Sequence, residues 1–232
     1  MAMRLKGRTA LVTGGNRGIG FELCWQLGAE GSRVILGSRD QTKGDQAARD
    51  LSEHVSEITV IQLDMSQRDS VLSAANQLED IDILVNNAAV LDHRDLKSLD
   101  PQELDYTIRT NLIGPILLAQ NLGKKMAKNG WGRIVNVSSG MGAISRGLGA
   151  DSVAYRLTKL GLNGFTVCLA EALRSTGVLV NSVDPGWVRT EMGGPMAHKT
   201  PQEGARSILS VILLPDRGPS GCFFRDGKKV SW

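Results

Sequence analysis

Short apolar, β-branched runs alternate along this chain with longer segments of helical periodicity. The runs fall at residues 9–12, 33–37, 58–63, 81–85, 133–137 and 178–183. The helical segments fall at 19–30, 42–53, 68–78, 101–128 and 153–175. The runs are continuously apolar, the pattern of strands buried on both faces. Their alternation with helices predicts a mostly parallel α/β sheet of about seven strands, covered by helices on both faces. No repeat, low-complexity tract or linker interrupts the pattern, so residues 1–232 read as a single domain. One stretch, 185–201, has many breakers and no periodicity. It follows the last of these strands and so leaves the ligand side of an open α/β sheet. A loop of this length in a compact domain reads as a lid, placed near 187–205.

Composition narrows the function classes. Apolar residues make up 41% and charged residues 22%, which suits a folded globular chain. Glycine is high at 27 residues and aromatics low at 4%, which favours close backbone approaches over a base-stacking surface. The net charge of +3 is mild and its cations are scattered, so no nucleic-acid partner is expected. Cys24, Cys168 and Cys222 lack any short spacing, which argues against a disulfide framework or zinc ribbon. His54, His93 and His198 are isolated, and no metal site is expected. The first strand starts too early to leave room for a signal peptide. The longest apolar candidate, 208–214, is broken by Ser210 and stopped by Pro215, so no membrane span is expected. These features together point to the cytoplasm.

The first candidate chemistry lies at the first strand–helix junction, Thr13-Gly14-Gly15-Asn16-Arg17-Gly18-Ile19-Gly20. Glycines there let the backbone turn tightly and let a pyrophosphate approach the free N–H groups of a helix start. The second strand ends at Gly37-Ser38-Arg39-Asp40. A carboxylate at that strand tip would select NAD by binding a ribose hydroxyl. Here the tip is Ser38, and Asp40 lies beyond it. Arg17 and Arg39 suit a 2′-phosphate, because a guanidinium fork matches phosphate oxygens. NADP(H) is therefore expected over NAD(H).

The second candidate is a hydroxyl–phenol–ammonium set. Tyr155 is one of two tyrosines, and Lys159 follows it at a spacing that shares a helix face. The run Val135-Asn136-Val137-Ser138-Ser139 delivers hydroxyls to the same edge of the sheet. Hydride transfer to a carbonyl builds alkoxide charge and needs a proton donor. A nearby ammonium lowers a phenol's pKa toward the range useful for that work, and a serine hydroxyl can hold the carbonyl oxygen.

These motifs resemble the short-chain dehydrogenase/reductase family. The resemblance covers the whole chain: the glycine turn, Asp64, Asn86-Asn87-Ala88-Ala89, Asn111, Ser139, Tyr155 with Lys159, and Pro185-Gly186. The tail from Asp184 to Gly194, with residues 221–226, is similar to carbonyl-reductase-like members. The family implies a Rossmann-like, doubly wound fold. It implies Tyr155 as general acid or base and Lys159 as the group that binds the nicotinamide ribose and depresses the Tyr155 pKa. Ser139 would orient the carbonyl, and Asn111 would hold a relay water. Around the cofactor it implies Gly14, Asn16, Arg17, Gly18, Ile19, Gly20, Ser38, Arg39, Asp64, Met65, Asn87, Ala88, Pro185, Gly186, Val188 and Thr190. The intact Asn111, Ser139, Tyr155 and Lys159 set favours an enzyme over a silent NADP(H)-binding sensor or scaffold.

Two departures from the family pattern stand out. Ala89 replaces a family glycine and adds a methyl group near the cofactor path. Ser139 and Tyr155 are 16 positions apart, a few more than usual, which would reshape the substrate mouth. The long insertion of monomeric carbonyl reductases is missing here, so helices 101–128 and 153–175 are free to pair and a homo-oligomer is expected. Met141, Ile144, Leu148, Trp187, Met192 and Met196 are candidate walls. They suggest small-molecule substrates that are apolar ketones, aldehydes or quinones.

Overall fold

The computed structural model describes residues 3–232. It holds one eight-stranded sheet in the order β3-β2-β1-β4-β5-β6-β7-β8. The strands are β1 (Thr9–Thr13), β2 (Arg33–Ser38), β3 (Ile58–Gln62), β4 (Ile83–Asn86), β5 (Gly132–Val137), β6 (Val178–Asp184), β7 (Cys222–Arg225) and β8 (Lys228–Val230). All pairings are parallel except β7 with β8. The helices are α1 (Gly18–Ala29), α2 (Gln41–Leu51), α3 (Arg68–Gln77), α4 (Pro101–Ile108), α5 (Gly114–Lys128), α6 (Val153–Ala172) and α7 (Pro201–Ile212). One face of the sheet buries Leu23, Leu27, Ile208 and Ile212 from α1 and α7. The other buries Leu118, Leu122, Met126 and Leu169 from α5 and α6. The strand order reverses between β1 and β4, which opens the crevice where ligands bind in such sheets.

The expected strands and helices are present, with ends moved by one to three residues and the 101–128 segment divided. The expectation of about seven strands is corrected to eight. The last two form a hairpin whose turn residues, Asp226 and Gly227, both have positive φ (51° and 72°). That is the geometry an Asp-Gly turn supplies. β3 is half-exposed, not continuously buried, because it is an edge strand.

The stretch expected as a lid runs into a helix at its end. Residues from Pro201 onward belong to α7, which starts with Thr200 and Glu203 in a reciprocal capping box and Pro201 in the first turn. Ahead of it, the loop is laced to itself. Arg189 N–H donates to the Lys199 carbonyl at 2.8 Å, and Lys199 N–H donates to the Trp187 carbonyl at 3.1 Å.

The long segment 101–128 is not one regular helix. α4 passes into α5 through a π-helical turn, Arg109–Ile113. Pro115 has no N–H to offer the carbonyl of Asn111 one turn back, which disfavours an unbroken α-helical ladder there.

The site depends on how β5 leaves the sheet. Past Ser139 the chain makes a short 3₁₀ turn, Gly140–Gly142, that packs on α6. A Cβ on Gly142 would lie 2.7 Å from the Lys159 carbonyl carbon and 2.8 Å from the Leu160 nitrogen. Gly142→Ala is therefore expected to cost about 1–3 kcal/mol by overpacking against backbone. Gly164→Ala, on the same helix with nothing within 4 Å, is expected to gain up to about 1 kcal/mol. Denaturant midpoints check both, and a Gly142→Ala midpoint at the wild-type value would contradict the packing.

Candidate active site

The glycine turn is held by the strand beside it. The Thr13 hydroxyl accepts from the Asn87 and Ala88 N–H groups, both at 3.0 Å. The Asn87 amide donates to the Thr13 and Gly14 carbonyls at 2.9 and 3.2 Å. Gly14 and Gly18 have positive φ, and a Cβ on Gly20 would stand 2.3 Å from the Gly14 oxygen. Only glycines let the turn lie this flat. α1 begins without a side-chain cap and without an acidic residue in its first turn, so its leading N–H groups face the cleft unshielded. This cradle fits a dinucleotide pyrophosphate. The cleft it opens onto encloses about 1500 Å³. That exceeds the roughly 300–1,000 Å³ of a typical small-ligand pocket.

All of the expected cofactor residues line this cleft: Gly14, Asn16, Arg17, Gly18, Ile19, Gly20, Ser38, Arg39, Asp64, Met65, Asn87, Ala88, Pro185, Gly186, Val188 and Thr190. Several have partners that the sequence did not suggest. Arg17 is paired with Glu191 of the loop between β6 and α7. Arg39 donates to the Tyr106 hydroxyl at 2.6 Å. Asp40 also lines the cleft, and its carboxylate caps α2 through the Lys43 N–H. The Asp64 carboxylate accepts from the Ser66 N–H and hydroxyl at 2.9 and 2.7 Å. Ala89 is a lining residue with φ outside the positive range, so its methyl costs no backbone strain.

β5 and α6 bring the reactive groups together. Ser139 accepts from the Met141 N–H at 3.1 Å and sits beside the Tyr155 phenol, where its hydroxyl favours the phenolate. The Lys159 ammonium is buried and donates to the Val137 carbonyl at 2.7 Å. It lies 5.4 Å from the centre of the Tyr155 ring. Burial lowers Lys159 from 10.5 to about 8. Burial also pushes Tyr155 up from 10.0 to about 12; Ser139 opposes that rise and the nearby Asp184 carboxylate adds to it. The expected depression of Tyr155 by Lys159 is therefore not what this arrangement produces. One ammonium N–H goes to the Val137 carbonyl, and desolvation of the phenolate is the largest influence on Tyr155.

The Asn111 side chain is engaged by backbone. It is fully buried and does not line the cleft. Its amide exchanges two hydrogen bonds with the Val90 backbone, at 2.9 and 2.8 Å, and reaches the Thr158 hydroxyl at 3.3 Å. The side chain thus pins the loop after β4 to α6. Of the six expected wall residues, Met141, Trp187 and Met192 line the cleft. Ile144, Leu148 and Met196 lie outside that lining and are 64%, 41% and 75% exposed. A group missed from sequence stands opposite them. The buried Asp184 carboxylate accepts from the Gly186 N–H at 2.9 Å, with Arg146 and Arg225 beside it. Three distant segments contribute to this group, so no local spacing marks it.

The two shifted groups have opposite effects on stability. Lys159 keeps its proton to 10.5 when unfolded but only to about 8 when folded. In that window the unfolded chain binds more protons, so stability rises with pH by at most about 1.4 kcal/mol per unit. Tyr155 keeps its proton longer when folded, so stability falls as pH rises from 10.0 to about 12. Lys159→Met is expected to remove the rise between pH 8 and 10.5 in denaturant unfolding. A slope equal to that of the wild type would contradict the buried ammonium.

The geometry invites comparison with known proteins. A family model for short chain dehydrogenases matches residues 8–201. The 3-oxoacyl-(acyl-carrier-protein) reductase FabG of Aquifex aeolicus is 36% identical over 90% of this chain and 85% of its own. Carbonyl reductase (NADPH) 1 of Sus scrofa is 30% identical over 97% of this chain and 94% of its own. The crystal structure of NADPH-bound carbonyl reductase from chicken fatty liver is 27% identical with a TM-score of 0.86, covering 98% of this chain and 100% of that one. Among the described residues, no helix is long and apolar enough to cross a membrane. The family match spans most of the chain, which belongs to the short-chain dehydrogenase/reductase family of oxidoreductases.

Proposed function

We propose that this protein transfers a hydride between NADP(H) and a carbonyl or alcohol substrate, acting mainly as a reductase of apolar ketones, aldehydes or quinones. The observation that carries this reading is the meeting of Ser139, Tyr155 and Lys159 at the end of β5, in the same cleft as the glycine turn. The relatives named carbonyl reductase (NADPH) support the direction and the cofactor. So do Arg17 and Arg39 in the cleft; Asp40 lines it too, with one carboxylate oxygen engaged as the cap of α2.

The cofactor, when bound, supplies the hydride. The protein does the rest. The glycine turn and the α1 start would hold the pyrophosphate, Arg17 and Arg39 the 2′-phosphate, and Val188 and Thr190 the carboxamide. Tyr155, held neutral by burial at neutral pH, is poised to give its proton to the carbonyl oxygen as negative charge develops there. Ser139 holds that oxygen beside the phenol. Lys159 keeps its hydrogen bond to the Val137 carbonyl and has two further N–H groups that would meet the ribose hydroxyls, and its positive charge favours the phenolate left behind. Asn111 can serve a proton relay only through its main-chain carbonyl, since its amide is committed to Val90. Met141, Trp187 and Met192 give the substrate an apolar wall. Exposed Leu157 and Val167 on α6 suit the pairing of two copies of the chain.

Absorbance-monitored NADPH oxidation over a panel of carbonyl compounds tests the reading. Tyr155→Phe is expected to lower kcat by about 10²–10⁴, the usual worth of a positioned acid, while the NADPH Kd stays near wild type. Retained turnover would refute the assigned acid. Arg39→Ala is expected to raise the KM for NADPH by about tenfold or more and that for NADH far less, given the worth of a charge-assisted hydrogen bond. Equal effects on the two cofactors would undo the NADP assignment.

A further inference from the structure

We propose that the substrate carries a carboxylate or similar anionic group as well as its carbonyl, and that Arg146 and Arg225 receive it. This rests on the NADP(H)-dependent reductase reading above and revises its substrate class, from wholly apolar carbonyl compounds to ones with an apolar body and one anionic end.

Asp184 is 5% exposed, and its carboxylate oxygen faces Arg146 at 3.6 Å and Arg225 at 3.4 Å. Neither separation is a hydrogen bond. The only other ion pair of either guanidinium among the described residues is the 4.0 Å approach of Arg225 Nε to Asp226, also beyond hydrogen-bond distance, so most of their donors are open to a ligand. One arginine would suffice to balance a buried carboxylate. Two leave a net positive charge, and both side chains stay more than a third exposed and line the cleft with Ser139 and Tyr155. The other charges nearby do not cancel it. Asp226 lies 4.0 Å from Arg225 Nε but is paired more closely with Lys199, so Arg146, Arg225 and Lys199 against Asp184 and Asp226 still leave one positive charge, and Asp151 is paired with Arg156.

The arginines are also held in place. Arg225 ends β7. Arg146 lies on a short turn whose Ser145 N–H donates to the Trp232 carbonyl at 2.8 Å, and the Trp232 ring stacks on Phe223 of that same strand. Gly140 makes the approach possible: a Cβ there would lie 2.7 Å from Arg146 Nη1 and 3.1 Å from Asp184 Oδ2. Two forks fixed side by side suit an anion with several oxygens. With Met141 and Trp187 forming apolar wall, the site fits an oxo acid whose hydrocarbon part joins carbonyl to carboxylate.

The experiment compares straight-chain oxo acids of increasing length with their methyl esters, using NADPH. At the fitting length, kcat/KM for the acid is expected to exceed that for the ester by about tenfold or more. Arg225→Met and Arg146→Met are each expected to cut that acid-to-ester ratio by about tenfold. If either variant fails to fold, the wild-type ratio is expected to fall as salt is raised from about 20 to about 500 mM. A ratio within about threefold of unity at every length, or one unmoved by both variants and by salt, overturns the proposal. Turnover of esters with rejection of acids overturns it and leaves the reductase reading standing. If no ketone turns over, that reading fails, and calorimetric titration of the hydroxy acid against its ester decides this one. Tighter binding of the acid supports it, and equal binding overturns it.

Discussion

The hydrogen bond from the Lys159 ammonium to the Val137 carbonyl is the constraint on which the site depends. It ties α6 to the last residue of β5, where the strand leaves the sheet and the chain must turn. An ammonium buried there has no water to lean on, so the carbonyl must satisfy it. The tie sets where Tyr155 stands, one helical turn before Lys159. It also sets where Ser139 stands, two residues past Val137. The Gly140–Gly142 turn closes the arrangement by packing directly on the α6 backbone. Catalytic geometry here is therefore a property of a strand end and a helix face. The cofactor cradle is built the same way, from the end of β1 pinned to β4 through Thr13 and Asn87.

The strands that build the crevice were legible because their apolar runs are long and their spacing regular. The glycine turn and the Ser139, Tyr155 and Lys159 set were legible because each lies in a short local motif. What escaped the sequence had physical reasons. β7 and β8 are four and three residues long, too short for periodicity to register. Asp226-Gly227, a strong hairpin signal, was the available clue. The π turn arises from Pro115 acting on a helix whose apolar pattern continues through it. Asn111 was placed by resemblance as a water ligand, but its amide is drawn to Val90 because the loop after β4 has backbone groups to satisfy.

Charge pairs across the chain were the least legible feature. Arg17 meets Glu191 and Arg39 meets Tyr106, each partner far away in sequence. Asp184, Arg146 and Arg225 converge from β6, the segment after β5, and β7. The cleft is thus lined by Arg17 and Arg39 and also by Arg146 and Arg225, the latter two converging on Asp184. Burial holds Tyr155 protonated and holds Lys159 close to losing its proton. A proton donor and a mobile positive charge kept so near each other suit a site that must neutralise an alkoxide.

The most direct test of hydride transfer at this site is the fate of label from NADPH deuterated at the transferable position of the nicotinamide. With a ketone that the protein reduces, the product alcohol is expected to carry one deuterium on its carbinol carbon for each cofactor consumed. Tyr155→Phe is expected to suppress label transfer and cofactor consumption together. Cofactor oxidation without label in any product, or transfer undiminished in Tyr155→Phe, would contradict the account.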